Sequence, residues 1–246
     1  MSYTDISKKT SPMKSAPSNF TVVEAYKMIR TNLLFLLSQA EKKSFTVSSA
    51  NEAEGKSTTS INVAIAFSQL GCRVLLIDTD MRRSSVHKKL RISNEKGLSS
   101  LLGGFTTLEE TVHQINPNLD VIPAGAIPPN PSELLASQQM KELLTKLHSM
   151  YDYIVLDAPP VNVVSDALVV APQTSGIVFV VRDHVTQHSQ IQKALKNINF
   201  AGAHTLGLVL NDARNAHKKS SRYEYRNENA NYNYNYNYSY NRSSKE

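Results

Sequence analysis

The sequence of 246 residues contains no tryptophan and a single cysteine, Cys72. One cysteine excludes an internal disulfide framework, which suits a reducing compartment. No stretch approaches the roughly 18 consecutive apolar residues of a membrane-spanning helix, and the first residues lack the apolar centre of a signal peptide. The sequence therefore predicts a soluble, cytoplasmic protein that would reach a membrane only through a partner.

A basic central region is also missing, although the net charge is +6. Residues 1–20 carry +2 and residues 212–246 carry +3, which leaves only +1 for residues 21–211. Because nucleic-acid binding needs a basic face on the folded part of a protein, this distribution argues against a nucleic-acid partner. Contacts between the basic ends and an anionic membrane surface stay open.

Three sections of the chain differ in composition. Residues 1–20 are rich in Ser, Thr, Pro and Lys without a hydrophobic period, which predicts a disordered arm. Residues 21–211 are long enough to bury one sizeable core and predict a single catalytic domain. Residues 212–246 predict a disordered tail, because the Asn-Tyr alternation at 231–241 includes no aliphatic residue that could build a buried face. Seven of the eleven tyrosines lie in this tail: Tyr223, Tyr225, Tyr232, Tyr234, Tyr236, Tyr238 and Tyr240.

Short apolar segments and helical patterns alternate along residues 21–211. The predicted strands are Phe45–Ser48, Val74–Ile77, Leu119–Ile122, Tyr153–Leu156, Ile177–Val181 and Leu206–Leu210. The predicted helices are Ser57–Leu70, Ser132–Leu147 and Thr186–Asn197, after a first helix that begins at Thr21, where Thr21 and Glu24 form a capping box. Fully apolar strands separated by helices predict an α/β fold of the P-loop NTPase type, with a parallel sheet between two layers of helices.

The strongest local motif is Glu54-Gly55-Lys56-Ser57-Thr58, between the first predicted strand and a predicted helix. The backbone N–H groups of such a loop and the N-terminus of the helix form a cage for phosphates. Lys56 would reach the β- and γ-phosphates of a nucleotide, and the Ser57 hydroxyl would bind Mg²⁺. Ala50 replaces the first glycine of the full pattern, so the motif alone is weak evidence for a phosphate site. Its position between a predicted strand and a predicted helix strengthens that prediction.

Aspartates follow two of the predicted strands. Asp78 and Asp80 come after the second strand, and Asp157 comes after the fourth. Because the carboxyl ends of parallel strands share one edge of the sheet, these carboxylates should converge on Gly55. Oxygen ligands of this kind suit Mg²⁺ bound to a nucleotide. A single aspartate after a strand can also cap a helix or a turn, but the two strand ends together favour a Mg-nucleotide site.

These motifs resemble the bacterial tyrosine kinases of capsule and exopolysaccharide systems, in the form where the cytoplasmic kinase is a separate polypeptide. The resemblance covers about residues 21–246. It rests on the phosphate loop, Asp78-x-Asp80-x-Arg82, Asp157-x-Pro159-Pro160, Pro128-Pro129-Asn130-Pro131-Ser132-Glu133-Leu134-Leu135 and the tail tyrosines. The combination of the Asp-x-Asp-x-Arg element with a tyrosine-rich terminus is the most diagnostic part.

The resemblance implies an ATP-dependent protein-tyrosine kinase that phosphorylates its tail tyrosines between subunits and regulates polysaccharide synthesis and export. The implied ATP contacts are Glu54, Gly55, Lys56, Ser57, Thr58 and, at the adenine, Asn211. The implied metal-arranging residues are Ser57, Asp78 and Asp157, and the implied catalytic residues are Lys56, Asp78, Asp80, Arg82 and Asp157. As a bare residue, Asn211 could equally begin a turn.

The resemblance leaves the roles of two side chains open. Asp78 or Asp80 would take the proton from the attacking phenol, whose pKa of about 10 requires a base at neutral pH. Arg82 would either stabilise charge in the transition state or pair with Asp80.

The resemblance also implies partners. They are a membrane-bound activator of the polysaccharide co-polymerase type, a ring of eight identical subunits and a cognate tyrosine phosphatase, so that the protein would lie at the membrane through its activator. Relatives carry a Glu-x-x-Arg-x-x-Arg interface motif, which here becomes Glu24, Lys27 and Arg30 along one side of the first helix. Lys27 cannot make the planar contact of an arginine. Alternatively, Glu24 closes the capping box while Lys27 and Arg30 are solvated.

One departure from the family lies just before the phosphate loop. Glu52-Ala53 stands where relatives carry Pro-Gly. The bend therefore loses a glycine and gains a carboxylate near the phosphates, which predicts a lower affinity for ATP.

Two other functions compete with the kinase. A nucleotide-switched ATPase of the chromosome-partitioning or division-site class would carry a signature lysine at Asn51, and it would not need seven terminal tyrosines. A weakly catalytic assembly scaffold is the second alternative, which Glu52-Ala53 favours. The Asn/Tyr tail could also merely self-associate.

Overall fold

A seven-stranded sheet forms the centre of the protein, whose computed structural model describes residues 18–213. The strands are β1 Ser44–Ser49, β2 Val74–Asp78, β3 His113–Asn116, β4 Leu119–Ile122, β5 Tyr153–Asp157, β6 Ile177–Arg182 and β7 Thr205–Asn211. Their order in the sheet is β3-β4-β2-β5-β1-β6-β7. Every neighbouring pair is parallel except β3 and β4, which are antiparallel.

Helices cover both faces of this sheet. The described helices are α1 Ser18–Leu36, α2 Lys56–Ser68, α3 Val86–Leu90, α4 Leu98–Leu102, α5 Leu108–Thr111, α6 Pro131–Ala136, α7 Gln138–Met150, α8 Asp166–Val170 and α9 His188–Phe200, with a 3₁₀ turn at Ala171–Gln173. Helices α1 and α2 pack on one face, where Leu33 and Phe67 join Phe45 and Val155 in the core. Helices α4 to α9 cover the other face.

The predicted α/β architecture is confirmed. All six predicted strands form, as β1, β2 and β4 to β7, and the sheet is parallel apart from one edge. Strand β3 was not predicted, because His113–Asn116 is short and polar and pairs only at the sheet edge. The short helices α3, α4, α5 and α8 were also missed, since four or five residues carry too little of a helical period.

The predicted start of the first helix is wrong. Helix α1 begins at Ser18, so Thr21 and Glu24 lie inside it and cannot form a capping box at its end. The Glu24 carboxylate instead accepts a hydrogen bond from Lys27 Nζ, 2.8 Å away and one turn later. An ion pair along the helix surface therefore replaces the predicted cap.

The single helix predicted for Ser132–Leu147 is also wrong, because Ser137 divides it into α6 and α7. Ser137 has extended backbone angles, φ −64° and ψ 160°, and its hydroxyl accepts a hydrogen bond from Met140 N at 3.2 Å. This residue caps the N-terminus of α7. The continuous apolar pattern concealed the interruption, since both halves bury residues against the same core.

Parts of the sequence prediction lie outside the described residues. The seven tail tyrosines fall there, as does most of the predicted arm, so the boundaries at residues 20 and 211 and the disorder of both ends stay predictions. Between residues 18 and 213, the structure contains no helix that combines the length and the apolar character needed to cross a bilayer.

A core substitution tests this packing. Phe67 is fully buried, and its ring centroid lies 6.2 Å from that of Phe45 and 4.4 Å from that of Tyr153. Phe67→Ala should lower the free energy of unfolding by about 3–5 kcal/mol, measured by urea denaturation, because it leaves a cavity. Phe200→Ala is the control, since Phe200 is 94% exposed, and it should change stability by less than about 0.5 kcal/mol. Equal losses would contradict the packing described.

Candidate active site

The loop between β1 and α2 has a conformation that requires Gly55. Gly55 adopts φ +98°, and a Cβ atom on it would lie 2.0 Å from Asn211 Nδ2. The Asn211 side chain, at the end of β7, donates to the carbonyl oxygen of Glu54 at 3.0 Å. Gly55 is the N-cap of α2 and brings no side chain to the first-turn N–H groups, which leaves them for an anionic ligand.

The Glu54 side chain holds the loop from within. Its carboxylate is almost fully buried and accepts hydrogen bonds from Asn51 N at 3.0 Å, Asn51 Nδ2 at 3.1 Å and Thr186 Oγ1 at 2.7 Å. Because the Glu54 carboxylate is bound within the protein, only the backbone of this residue can make the predicted contact with a ligand. Thr186, which follows β6, was not predicted to belong to the site.

Ala53 occupies a backbone conformation that favours glycine. Its φ is +59°, and a residue with a Cβ atom loses about 1–2 kcal/mol in this left-handed region. Arg182 Nη1 donates to the Ala53 carbonyl oxygen at 3.2 Å and holds the bend in place. Because Ala53 stands where relatives carry glycine, the backbone is locally strained at this position.

Lys56, the first residue of α2, forms an ion pair with Asp80. The distance from Lys56 Nζ to Asp80 Oδ2 is 2.8 Å, and both side chains are nearly buried. Burial alone would lower the pKa of Lys56, but the charges of Asp157, Asp80 and Asp78 outweigh it and raise that pKa. Lys56 is therefore fully charged and is the counter-ion of the three carboxylates.

Asp78 and Asp157 lie directly opposite each other at the ends of β2 and β5. Both are completely buried. Asp157 Oδ1 accepts a hydrogen bond from Ser60 Oγ at 2.8 Å, whereas its Oδ2 is buried without a partner. Burial is the main factor that raises the pKa of Asp157. The predicted convergence of Asp78 and Asp157 at one edge of the sheet is confirmed.

The Asp78 carboxylate is enclosed by backbone amides. Oδ1 accepts from Asp80 N at 3.1 Å, and Oδ2 accepts from Ser85 N and Val86 N at 3.2 Å each. These amides favour the ionised form, but burial and then the charge of Asp157 raise the pKa of Asp78 to about 8. Because the two carboxylates face each other away from water, the charge of one disfavours the ionised form of the other.

The predicted pairing of Arg82 with Asp80 is wrong. Arg82 Nε donates to Asp166 Oδ2 at 2.8 Å, and Nη2 donates to Asp166 Oδ1 at 3.3 Å and Ser132 Oγ at 3.2 Å. Ser132 also donates a short hydrogen bond to the same carboxylate. Asp80 forms its ion pair with Lys56. The Arg82 guanidinium is bound instead by the fully buried Asp166. No motif at the sequence level pointed to Asp166, which lies 84 residues from Arg82.

A second new contact concerns Glu52. Its carboxylate pairs with the guanidinium of Arg83 in a short ion pair at the surface. The predicted repulsion between Glu52 and bound phosphate is therefore partly balanced, since an arginine accompanies the carboxylate.

A cavity of about 520 Å³ lies beside the phosphate loop. Its lining includes both residues of the Lys56–Asp80 pair, the Arg82 and Arg83 side chains and an apolar wall. The full lining is Glu52, Ala53, Gly55, Lys56, Ser57, Thr58, Asp80, Arg82, Arg83, Ser85, Lys89, Pro159, Pro160, Val163 and Val164. This volume is in the range of small-ligand sites. The phosphate loop, Asp80 and Arg82 thus line one cavity, whereas Asp78 and Asp157 are not among its lining residues.

The metal ligands predicted from sequence do not form a complete cage. Within residues 18–213, no three His, Cys, Asp or Glu side chains are arranged to hold a metal ion. Ser57 lines the cavity and interacts with the buried Asp157 carboxylate, whose Oδ2 has no hydrogen-bond partner. Since Mg²⁺ usually keeps waters and takes phosphate oxygens, this partial set fits a metal that arrives with a nucleotide.

The three predicted interface residues lie on α1, away from the cavity. Arg30 Nη1 donates to the carbonyl oxygen of Ala66, on α2, at 3.2 Å. The alternative in which Arg30 is solvated is therefore wrong, because this side chain ties α1 to α2. An intermolecular role for Glu24, Lys27 and Arg30 stays a prediction.

The chain is similar to known kinases and to an ATPase family. Residues 43–204 match the AAA domain family. The chain is 38% identical over 203 residues to the tyrosine-protein kinase YwqD of Bacillus subtilis, which covers 82% of this chain and 85% of that protein. The kinase domain of the Escherichia coli tyrosine kinase ETK matches with a TM-score of 0.75 and 31% identity, over 87% of this chain and 80% of that chain. The chimeric protein CapA2B2 matches with a TM-score of 0.73 and 32% identity, over 85% and 90%.

Replacing Ala53 tests the strain before the phosphate loop. Ala53→Gly should raise the free energy of unfolding by about 0.5–1 kcal/mol, because glycine removes the steric cost at positive φ and returns only part of it as chain entropy. Ala25→Gly, at an exposed position inside α1, should have the opposite sign and cost about 1 kcal/mol. Urea denaturation of both variants measures the difference. A loss of stability in Ala53→Gly would contradict the backbone conformation described.

The buried carboxylates predict a pH dependence of stability. The pKa of Asp78 is raised to about 8, against about 4 in an unfolded chain. Its contribution is complete below about pH 4 and is lost as the pH rises to about 8, at about 1.4 kcal/mol per pH unit. Thermal unfolding of metal-free and nucleotide-free protein should therefore show a falling melting temperature between about pH 5.5 and 8.

Asp157→Asn supplies the comparison for this pH series. It removes the charge that faces Asp78, so the pKa of Asp78 should fall and the loss of stability should end at a lower pH. An unchanged pH profile in this variant would show that the two carboxylates do not interact.

Proposed function

Because the chain belongs to the bacterial tyrosine kinases, we propose that it transfers the γ-phosphate of Mg-ATP to tyrosines in the C-terminal tail of a second copy. The observation that carries this proposal is the Lys56–Asp80 ion pair in the lining of the cavity, near the buried Asp78 and Asp157, whose charges act on Lys56. Lys56, the proposed phosphate contact, and Asp80, the proposed base, thereby line the same cavity.

The phosphate loop would bind the nucleotide through its backbone and through Lys56. The N–H groups at the start of α2 receive no side-chain cap and would bind the anion, and Thr58 lines the cavity. Asn211 touches the loop on its other side, at Glu54 O, which supports the proposed position of the adenine near the ends of β6 and β7.

The metal would be held by Ser57 and Asp157, with Asp78 arranging its surroundings. Mg²⁺ bound to the phosphates would neutralise negative charge on their oxygens. The unpaired Asp157 Oδ2 supports this assignment, since a buried carboxylate oxygen without a donor suits a cation. The Asp78 carboxylate, held by three amides, would contribute charge rather than a mobile ligand.

Asp80 would accept the proton of the tyrosine. The phenolic oxygen forms a bond to the γ-phosphorus, the bond from that phosphorus to the bridging oxygen breaks, and its electrons leave with ADP. Asp80 lines the cavity, whereas both oxygens of Asp78 are occupied by amides. When Lys56 moves to the phosphates, its ion pair with Asp80 opens, and the carboxylate becomes free to act as a base. Arg82 would stabilise the transferred phosphoryl group.

The finer biological role follows the same family. Subunits would assemble into a ring through Glu24, Lys27 and Arg30, and each would modify a neighbour's tail. Each phosphate adds a charge of about −1.5 to −2, so modification would reverse the +3 charge of residues 212–246 and oppose assembly. A cognate phosphatase would restore it. This cycle would regulate capsular or exopolysaccharide synthesis and export.

A second component would activate the kinase at the membrane. The similarity to CapA2B2, a chimeric protein, supports a kinase that works together with another polypeptide. We propose a membrane-bound activator of the polysaccharide co-polymerase type, which would place the protein at the cytoplasmic side of the membrane.

A phosphotyrosine assay tests the kinase against its alternatives. Purified protein is incubated with labelled ATP and Mg²⁺, beside Lys56→Met, Asp80→Asn and a chain that ends at Asn211. Lys56→Met and Asp80→Asn should each lower the rate by about 10²-fold or more, because they remove a phosphate contact and a base. Lys141→Met, at an exposed position on α7, is the matched control and should leave the rate unchanged. The shortened chain should retain ATP binding but lose autophosphorylation.

Other outcomes of this assay would support one of the two alternative functions. ATP hydrolysis without phosphotyrosine would favour a nucleotide-switched ATPase. Nucleotide-dependent assembly without either reaction would favour a scaffold. Phosphotyrosine in Lys56→Met at the wild-type rate would exclude the site described here.

A further inference from the structure

The cavity lies on one side of the phosphate loop. The loop follows β1, which separates β2 and β5 on one side of the sheet from β6 and β7 on the other. Apart from the loop itself, the described lining residues all follow β2 or β5, at 80–89 and 159–164. Asn211, at the end of β7, lies across the loop from them. The cavity therefore opens beside the aspartates and away from the proposed adenine position.

One wall of this cavity is apolar although phosphates and metal ions need no apolar surface. It consists of Pro159, Pro160, Val163 and Val164, in the segment between β5 and α8. Val161, in the same segment, is packed into the core with 4% exposure, whereas Val163 is 52% exposed. Together with Pro159, Pro160 and Val164, this side chain gives the cavity an apolar surface that suits an apolar part of a ligand.

The polar groups near this wall suit the hydroxyl end of a phenol. Asp80 and Lys56 lie in the same cavity. Arg82 contributes a guanidinium that Asp166 holds in place. A tyrosine side chain has an apolar ring and a polar tip, so a ring against Val163 would allow the oxygen to approach Asp80.

We propose that Val163, together with Pro160 and Val164, forms the subsite that holds the ring of the acceptor tyrosine. This inference rests on the proposed kinase function and adds the residues that select the acceptor. The occupant is a tyrosine in the tail of a second copy. Within residues 231–241, every side chain other than tyrosine is Asn or Ser, so the tyrosine rings are the apolar groups that this stretch offers to the wall.

The acceptor subsite makes a kinetic prediction for Val163→Ser. The full chain is assayed with a synthetic peptide of residues 231–241 as the added acceptor, and the peptide concentration is varied at saturating Mg-ATP. Val163→Ser should raise the KM for the peptide about 10-fold, because the polar residue removes apolar contact with the ring. Val163→Leu, which keeps that contact, should stay within about threefold of the wild-type value. The dissociation constant for ADP is measured in parallel and should change less than about twofold.

Val185→Ser is the matched control, since Val185 is 56% exposed and follows β6, on the opposite side of the loop. Its KM for the peptide should equal that of the wild type. An unchanged KM in Val163→Ser, or an equal rise in Val185→Ser, would overturn the subsite, as would weakening of ADP binding by the same factor as peptide binding. If the wild-type protein phosphorylates no tyrosine at all, the kinase proposal fails first, and the two failures are thereby distinguished.

Discussion

Two buried carboxylates that face each other determine how this site is built. Asp78 and Asp157 occupy paired positions on adjacent strands, and neither is exposed to water. Their charges can be tolerated only if cations and hydrogen-bond donors are placed around them. The protein supplies Lys56, three backbone amides and the Ser60 hydroxyl, yet one oxygen of Asp157 is left without a donor. The free protein is therefore short of positive charge at a place where a metal bound to nucleotide would supply it.

The loop above these carboxylates is held by contacts from distant parts of the chain. Glu54 receives hydrogen bonds from Asn51 and Thr186, while Asn211 supports its carbonyl oxygen. Arg182 supports the strained residue before it. Residues at or just after the ends of β6 and β7 thus fix the loop that follows β1, because the three strands are neighbours in the sheet. The loop can keep an unfavourable backbone angle since the surrounding contacts determine its shape.

The sequence predicted most of the sheet and the centre of the site, for physical reasons that differ from one element to the next. Continuous apolar segments such as Val74–Ile77 can be buried on both faces only as central strands, so the parallel sheet could be inferred. Its parallel direction then brings Asp78 and Asp157 to the same edge. The polar β3 gave no such signal, and a pattern of buried residues on both sides of Ser137 concealed the end of a helix.

The errors at the site concern side-chain partners rather than positions. Arg82 lines the cavity, but its carboxylate partner lies far away in the sequence, at Asp166. Asp80 lies two residues from Arg82 and seemed the simpler partner, yet Lys56 already neutralises it. Sequence spacing cannot rank such competing ion pairs, because their choice depends on which groups share a buried environment.

The hydrogen bond from Arg30 to Ala66 has a mechanical consequence. Helix α2 has 13 residues and is therefore about 20 Å long, with Lys56 at its first position and Ala66 near its end. Helix α1, which carries the predicted subunit contact, is thus hydrogen-bonded to α2 near the end opposite Lys56. A displacement of α1 would therefore act on α2 as well.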